Sequence, residues 1–259
     1  MVMTMKKELE ILSEKIHLIK RNETESLCLV GPVRLPVKQG DFEATFQWYT
    51  WLPVEASTTI EQVLENISQS NLALGQQSSI LVYGNFADEE EALIRMHSIC
   101  HTGDIFGSQR CDCGYQLHQS MQMIVEHGCG AVFYLADHEG RGIGLFSKTM
   151  AYLLQENGYD TVEANHALGF ADDTRSYEDA ILLLEALRQK PSTLITNNPN
   201  KLAALQKHGL LADKHIPLWG GMTETNRFYL QTKIEKAGHI LTNGGLEDDE
   251  RPVLHATRP

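Results

Sequence analysis

Ala131-Val132-Phe133-Tyr134-Leu135 is an apolar run rich in β-formers, and His138-Glu139-Gly140-Arg141-Gly142-Ile143-Gly144 follows it two residues later. A strand that feeds a glycine-rich turn, which then opens onto a helical stretch at 145–157, is half of an α/β unit. Two more short runs share its character: Ile80-Leu81-Val82-Tyr83-Gly84 and Thr193-Leu194-Ile195-Thr196. Helical patterns are predicted at about 115–127, 177–189, 199–208 and 229–241. Ser176 is placed to cap the helix that ends before Pro191. Asn198-Pro199 forms an N-cap and N1 pair, and Gly209 stands where a C′ glycine belongs. Strands alternating with helices predict an α/β layered domain over 80–242.

Outside that span the signals are weaker. Residues 3–21 carry Leu9, Leu12, Ile16 and Ile19 at helical spacing and are predicted as one helix. Residues 27–50 read as strands, with turn signals at Gly31-Pro32 and Gln39-Gly40-Asp41. Thr58 to Ile67 is predicted as a short helix and Ser68 to Ser79 as a loop. The chain thus divides into an N-terminal extension packing on the main body (1–79), the α/β domain (80–242), and an acidic, Pro-bearing, mobile tail (243–259).

Composition narrows the function. Of 259 residues, 42% are hydrophobic and 22% charged, as in an ordinary globular protein. No apolar run approaches the roughly 20 residues of a transmembrane helix. Met1 to Glu10 lacks the apolar stretch of a secretory signal. The net charge of −12 argues against a nucleic-acid or anionic membrane partner. It leaves room for one phosphorylated ligand in a local basic pocket. Five cysteines are too few and odd for a disulfide framework, so a cytoplasmic enzyme is expected.

Three of those cysteines cluster as Cys100-x10-Cys111-x-Cys113. Thiolates so grouped suggest zinc, and three protein ligands leave a fourth position open for water, the catalytic arrangement. A closed structural site, with His97, His101 or Asp112 as fourth ligand, and a metal-free cluster are the alternatives. Gly103, Gly107 and Gly114 are expected to give the loop its freedom. The turn at 138–144 brings backbone amides, a helix N-terminus and Arg141 towards an anion, although such a turn also occurs as a plain connector. Thr196-Asn197-Asn198-Pro199-Asn200-Lys201 repeats that design.

Together these segments resemble the GTP cyclohydrolase II family. The likeness runs in order through R-M-H-S-x-C-x-T-G-D from Arg95, R-C-D-C-G-x-Q-L from Arg110, E-G-R-G-I-G-L from Glu139 and D-T-V-E-A-N-x-x-L-G-F from Asp160. It continues through D-x-R at Asp173, T-N-N-P-x-K from Thr196 and Y-L-x-T-K-x-x-K-x-G-H-x-L from Tyr229. The resemblance implies a three-layer α/β domain with a mixed sheet, a homodimer, one zinc ion per chain on Cys100, Cys111 and Cys113, and Mg2+ with the triphosphate. It implies hydrolytic opening of the guanine imidazole ring of GTP, with loss of formate and pyrophosphate. Arg95, His97, Ser98, Gln116, Glu139, Gly140, Arg141, Thr161, Thr196 and Lys201 would contact the nucleotide. Asp173 would accept a proton, and Tyr152 would stand near the zinc-side chemistry. Arg175 would act on the α-phosphate, either as a nucleophile or electrostatically, since a guanidinium rarely gives up its proton.

Three departures from the family pattern stand out. Ile99 replaces a carboxylate beside the first cysteine, Asn200 replaces a common lysine, and the late glycine loop reads Gly220-Gly221-Met222-Thr223-Glu224. They leave two other readings open: a paralogue acting on a related purine nucleotide or stopping at the formylated product, and a non-catalytic zinc and nucleotide-binding module.

Overall fold

The computed structural model describes residues 2–240 apart from 41, 73, 74, 76 and 237. The predicted tail at 243–259 lies outside the described residues. One sheet of eight strands runs through the molecule: β1 (Ile16–Lys20), β2 (Glu25–Gln39), β3 (Phe42–Glu55), β4 (Ser79–Tyr83), β5 (Leu93–Ser98), β6 (Gly130–Leu135), β7 (Ser192–Ile195) and β8 (Leu211–Ile216). Their order is β1-β2-β3-β4-β6-β5-β7-β8. Pairing is antiparallel from β1 to β4 and between β4 and β6, and parallel across β6-β5-β7-β8. The sheet is therefore mixed, as expected.

Alternation along the strands builds a core on each face. Ala131, Phe133 and Leu135 of β6 join Ile94 and Met96 of β5 against Ile181 and Leu184 of α7 (Glu178–Leu187) and Leu205 of α8 (Pro199–Lys207). Val132 and Leu93 point the other way, onto Met121 and Ile124 of α4 (Cys113–His127). Helices cover both faces, giving three layers.

The expected caps form. Asn198 accepts the amide of Asn200 at 2.9 Å with Pro199 at N1, and Gly209 takes φ +68° just beyond α8. Ser176 is the exception: the N-cap of α7 is Tyr177, and Ser176 stands one residue before it, its hydroxyl accepting from the amide of Glu178 at 3.3 Å. A short helix, α2 (Ile60–Asn66), starts at Thr59 with a capping box.

Three expectations are corrected. The helix predicted over 3–21 ends at Ser13 (α1, Val2–Ser13), and Ile16–Lys20 instead pairs with the outer edge of β2, Ile16 opposite Val30. An open strand edge recruits a neighbouring segment whatever its helical spacing. Gly31-Pro32 is no turn: β2 runs through it with a register shift between Val30 and Val33. A Cβ on Gly31 would sit 2.6 Å from the Trp48 carbonyl, so glycine admits this close approach. Finally, the helix expected over 229–241 is α9 (Arg227–Glu235).

Besides a single helical turn at His101–Asp104, two strands and a helix had no counterpart in the sequence reading. β5 hides because its second face carries Arg95 and His97 rather than apolar residues. β8 is a half-exposed edge. The third, α6 (Thr161–Ala167), starts from Asp160, which caps the amides of Val162 and Glu163 while Glu163 bonds back to Asp160. That Asp-x-x-Glu box was legible as a helix start.

Candidate functional site

The parallel strands β5, β6 and β7 end on the same side of the sheet, where α/β folds place their ligands. Cys100 follows β5, the 136–144 turn follows β6, and Thr196 to Lys201 follow β7. Between them opens a cleft of about 370 Å³, and every residue expected to bind metal, bind nucleotide or catalyse lies in its wall. Eight arginines and lysines line it against three carboxylates, so an acidic chain carries a cationic cleft.

At one end, the Sγ atoms of Cys100, Cys111 and Cys113 lie within 4.8 Å of one another. Cys100 precedes a single helical turn, α3 (His101–Asp104), and Cys113 opens α4. A Cβ on Gly103 would come 3.1 Å from the sulfurs of both Cys100 and Cys111. Gly114 packs against the Gly103 carbonyl. Space, not backbone freedom, therefore demands these two glycines; of the three, Gly107 alone has positive φ.

Hydrogen bonds from Cys111 and Cys113 hold the Cys100 thiol far below its usual pKa, and the Lys148 ammonium 3.2 Å away adds to this. A cation-flanked thiolate among thiols suits a soft divalent metal. Among the described residues no histidine or carboxylate joins the cluster. His97 is turned to Asp104 at 3.0 Å, and Asp112 to Lys233 at 2.9 Å. The cluster could therefore offer three thiols to a metal ion.

Asp104 is the hub that the sequence reading missed. It accepts from His97, from the Tyr134 hydroxyl at 3.1 Å and from the Cys100 amide at 2.9 Å, so it fixes the first cysteine by its backbone. Such supports orient metal ligands. Thr-Gly-Asp within the first motif was the available signal.

Arg95 and Gln116, expected to touch nucleotide, bond each other at 2.6 Å. Gln116 also bonds Asp112 at 2.6 Å. In Arg95 the buried Nε has no hydrogen-bond partner among the described residues. Glu139 is held by Lys148 at 2.6 Å and the His101 amide at 2.7 Å. Lys148 also lies 5.6 Å from the Tyr152 ring, one turn along α5 (Gly144–Gln155). Burial pushes the Tyr152 phenol up, so it keeps its proton.

At the far end Asp173 and Arg175 form a fork, Nη2 to Oδ2 at 2.6 Å and Nε to Oδ1 at 2.8 Å. Burial alone would raise Asp173, but the Arg175 hydrogen bonds outweigh it and hold the carboxyl below its usual range. Lys201 is buried with Nζ on the Met96 carbonyl at 2.7 Å, and burial pushes its ammonium down. The Thr196 hydroxyl accepts the Asn198 amide at 3.0 Å. Thr161 opens α6 at the same wall.

The profile of the GTP cyclohydrolase II family matches residues 55–217, well over half of the chain. The chain belongs to that family. It is 52% identical over 153 residues to riboflavin biosynthesis protein RibBA of Bacillus subtilis, covering 59% of this chain and 38% of that protein. It is 47% identical over 174 residues to GTP cyclohydrolase-2 of Colwellia psychrerythraea, covering 67% and 86% respectively. With GTP cyclohydrolase-2 of Pseudomonas putida the identity is 48% over 171 residues, 66% and 83% of the two chains. The chain thus spans well under half the length of the Bacillus relative and most of the other two.

In this GTP cyclohydrolase II family member the glycine-rich turn is strapped to the Asp173 segment. Gly140, Arg141 and Gly142 are consecutive residues at φ +62°, +69° and +94°. The Arg141 carbonyl accepts both the amide (3.1 Å) and the hydroxyl (3.2 Å) of Thr174. A Cβ on Gly142 would meet the Thr174 hydroxyl at 2.2 Å. Gly142→Ala should displace Asp173 and Arg175 and lower turnover about 10²-fold, the scale of a 1 Å misplacement. Gly158→Ala controls for backbone strain, because Gly158 has φ +95° but nothing within 4 Å of its added Cβ. Equal turnover by the two variants would show that the strap does not matter. No helix among the described residues is long and apolar enough to cross a membrane.

Proposed function

We propose that the chain is a zinc-dependent GTP cyclohydrolase II of the cytoplasm. It opens the imidazole ring of GTP and releases formate and pyrophosphate. The product is 2,5-diamino-6-(5-phosphoribosylamino)pyrimidin-4-one, the first intermediate of riboflavin synthesis. The observation that carries this reading is the meeting of a cluster of three thiols with a cationic wall in one cleft. Cys100, Cys111 and Cys113 hold one zinc ion, which supplies the Lewis acidity that makes water nucleophilic near neutral pH. Mg2+ accompanies the triphosphate, and the chain works as a homodimer.

The remaining roles fall to this chain's own side chains. Lys148 balances the thiolate charge of Cys100, and Glu139 holds Lys148 in place. The protonated Tyr152 phenol donates a hydrogen bond on the base side of the cleft. Arg141, Arg175 and Lys201 receive the phosphates, while Arg95 and Gln116 close the wall behind them. Pairing with Asp173 raises the Arg175 pKa further, which favours a charge-stabilising role for Arg175 over a nucleophilic one.

The test is incubation of zinc-loaded protein with GTP and Mg2+, reading formate, pyrophosphate and the mass of the pyrimidine. Zinc-loaded protein that releases neither would sink the proposal. Ile99 supports a second reading, a shifted substrate: it is 3% exposed and presents an aliphatic wall beside Cys100. If that wall marks a change of purine, Ile99→Glu raises turnover of GTP. A lower or unchanged rate counts against the second reading.

A further inference from the structure

We propose that His138 is a positioning residue for Arg175, acting through Ser98; the proposal rests on the GTP cyclohydrolase II reading above. His138 is 2% exposed, in the turn that follows β6, and the sequence reading gave it no role. Its Nε2 lies 2.8 Å from the Ser176 carbonyl oxygen. A carbonyl only accepts, so Nε2 carries the ring proton. Burial pushes the imidazole pKa down to about 4, so the ring is neutral and Nδ1 offers a lone pair. That lone pair faces the Ser98 hydroxyl at 3.1 Å, and Ser98 is therefore the donor. The Ser98 oxygen in turn accepts Nη1 of Arg175 at 3.2 Å. Each direction in the chain is fixed by the one before it.

The contacts close a ring. Ser176 follows Arg175 in sequence, so His138 grips the backbone just after Arg175 and, through Ser98, the end of its side chain. Asp173 holds the other edge of the same guanidinium by Nε and Nη2. All three guanidinium nitrogens thus have assigned partners. The Tyr177 ring packs edge-on against the imidazole, centroids 5.0 Å apart at 83°. Asp137 stands 3.8 Å from Nε2, beyond hydrogen-bond range, and is largely exposed. An arginine with long side-chain freedom loses that freedom when it binds phosphate, and pre-organisation removes this cost from the reaction step.

The test compares His138→Leu with His138→Gln on zinc-loaded protein turning over GTP. Leucine fills the space and breaks both bonds. Glutamine keeps a donor for Ser176 and an acceptor for Ser98. The expected result is a kcat for pyrophosphate release about 10²-fold lower in His138→Leu, with KM and zinc content little changed. Glutamine recovers most of that loss. An undiminished kcat in His138→Leu, or a glutamine variant as impaired as the leucine one, overturns the proposal.

A readout independent of activity accompanies it, nitrogen NMR of the His138 ring and the Arg175 guanidinium. The proposal requires a neutral ring protonated on Nε2, and Arg175 side-chain protons that exchange slowly in the wild type and fast in His138→Leu. A proton on Nδ1, or unchanged exchange, overturns it. If the wild type releases no pyrophosphate from GTP, the functional reading has failed, and the NMR result alone decides the positioning.

Discussion

Cys111→Ser is expected to abolish formate release while the chain stays folded. Serine has nearly the size of cysteine, and Cys111 sits in the turn before α4 rather than in any of the three apolar clusters. The fold therefore loses little. On the proposed reading the zinc site would lose one of three soft ligands, and a neutral hydroxyl is a poor substitute for a thiolate towards zinc. Lewis acidity at such a centre stabilises the transition state by several kcal/mol. At about 1.4 kcal/mol per tenfold, the expected loss of rate is about 10³-fold or more. Zinc content after exposure to a chelator and formate release are read on the same sample. Formate release that survives with zinc absent would show that the thiol cluster is not the reaction centre.

The largest expected loss of stability lies at the other end of the sheet. Arg188 is 1% exposed, and its hydrogen bonds among the described residues go to no carboxylate. Its guanidinium donates to the carbonyls of Phe86 (2.6 Å), Glu89 (2.8 Å), Glu90 (2.9 Å) and Pro191 (3.2 Å) and to the Ser192 hydroxyl (3.1 Å). It sits over the Phe86 ring at 5.5 Å. One side chain thereby ties the segment before β5 to the turn before β7, at the amino ends of the parallel strands. Arg188→Leu buries those carbonyls without partners, at about 1–3 kcal/mol for each group that water does not reach. The expected total is about 3–5 kcal/mol, the scale of a broken buried polar cluster. For a chain of this size that lowers Tm by about 10 °C. Arg188→Lys should recover only part, because an ammonium has three donors and no planar fork. Thermal unfolding checks both variants. Turnover at low temperature is expected to persist, since the cleft opens at the carboxyl ends of the same strands.

What the sequence disclosed follows the physics of each signal. The strands 80–84, 131–135 and 193–196 were legible because a strand buried on both faces is apolar throughout. The caps at Asn198 and Gly209 were legible because backbone geometry restricts those positions to few residue types. Strand β5 was not, because Arg95 and His97 belong to the cleft and break its apolar run. Nor was β1, whose Ile16, Leu18 and Ile19 fit a helix as well as a strand until β2 presents an edge. For the cleft, motif spacing disclosed which residues gather there, but not how they are held. Asp104 supports Cys100 from the helical turn that directly follows it, whereas His138 reaches Ser98 from the turn after β6, and only the fold brings that second pair together. The glycines of the cysteine loop were read as hinges, whereas two of them are vacancies that leave room for sulfur.

The contrast between an acidic chain and a basic cleft gives the molecule a field that changes sign with distance. Far from the surface an anionic nucleotide meets the net charge of −12 and is repelled. Within a few ångströms of the cleft, arginines and lysines dominate and attract it. Salt acts on these two regimes unequally, because repulsion across open solvent is screened beyond about 8 Å at physiological ionic strength while close, half-buried contacts are screened much less. Moderate salt therefore eases the approach of the nucleotide before it weakens its capture, the reverse of the behaviour of a uniformly basic nucleotide-binding surface.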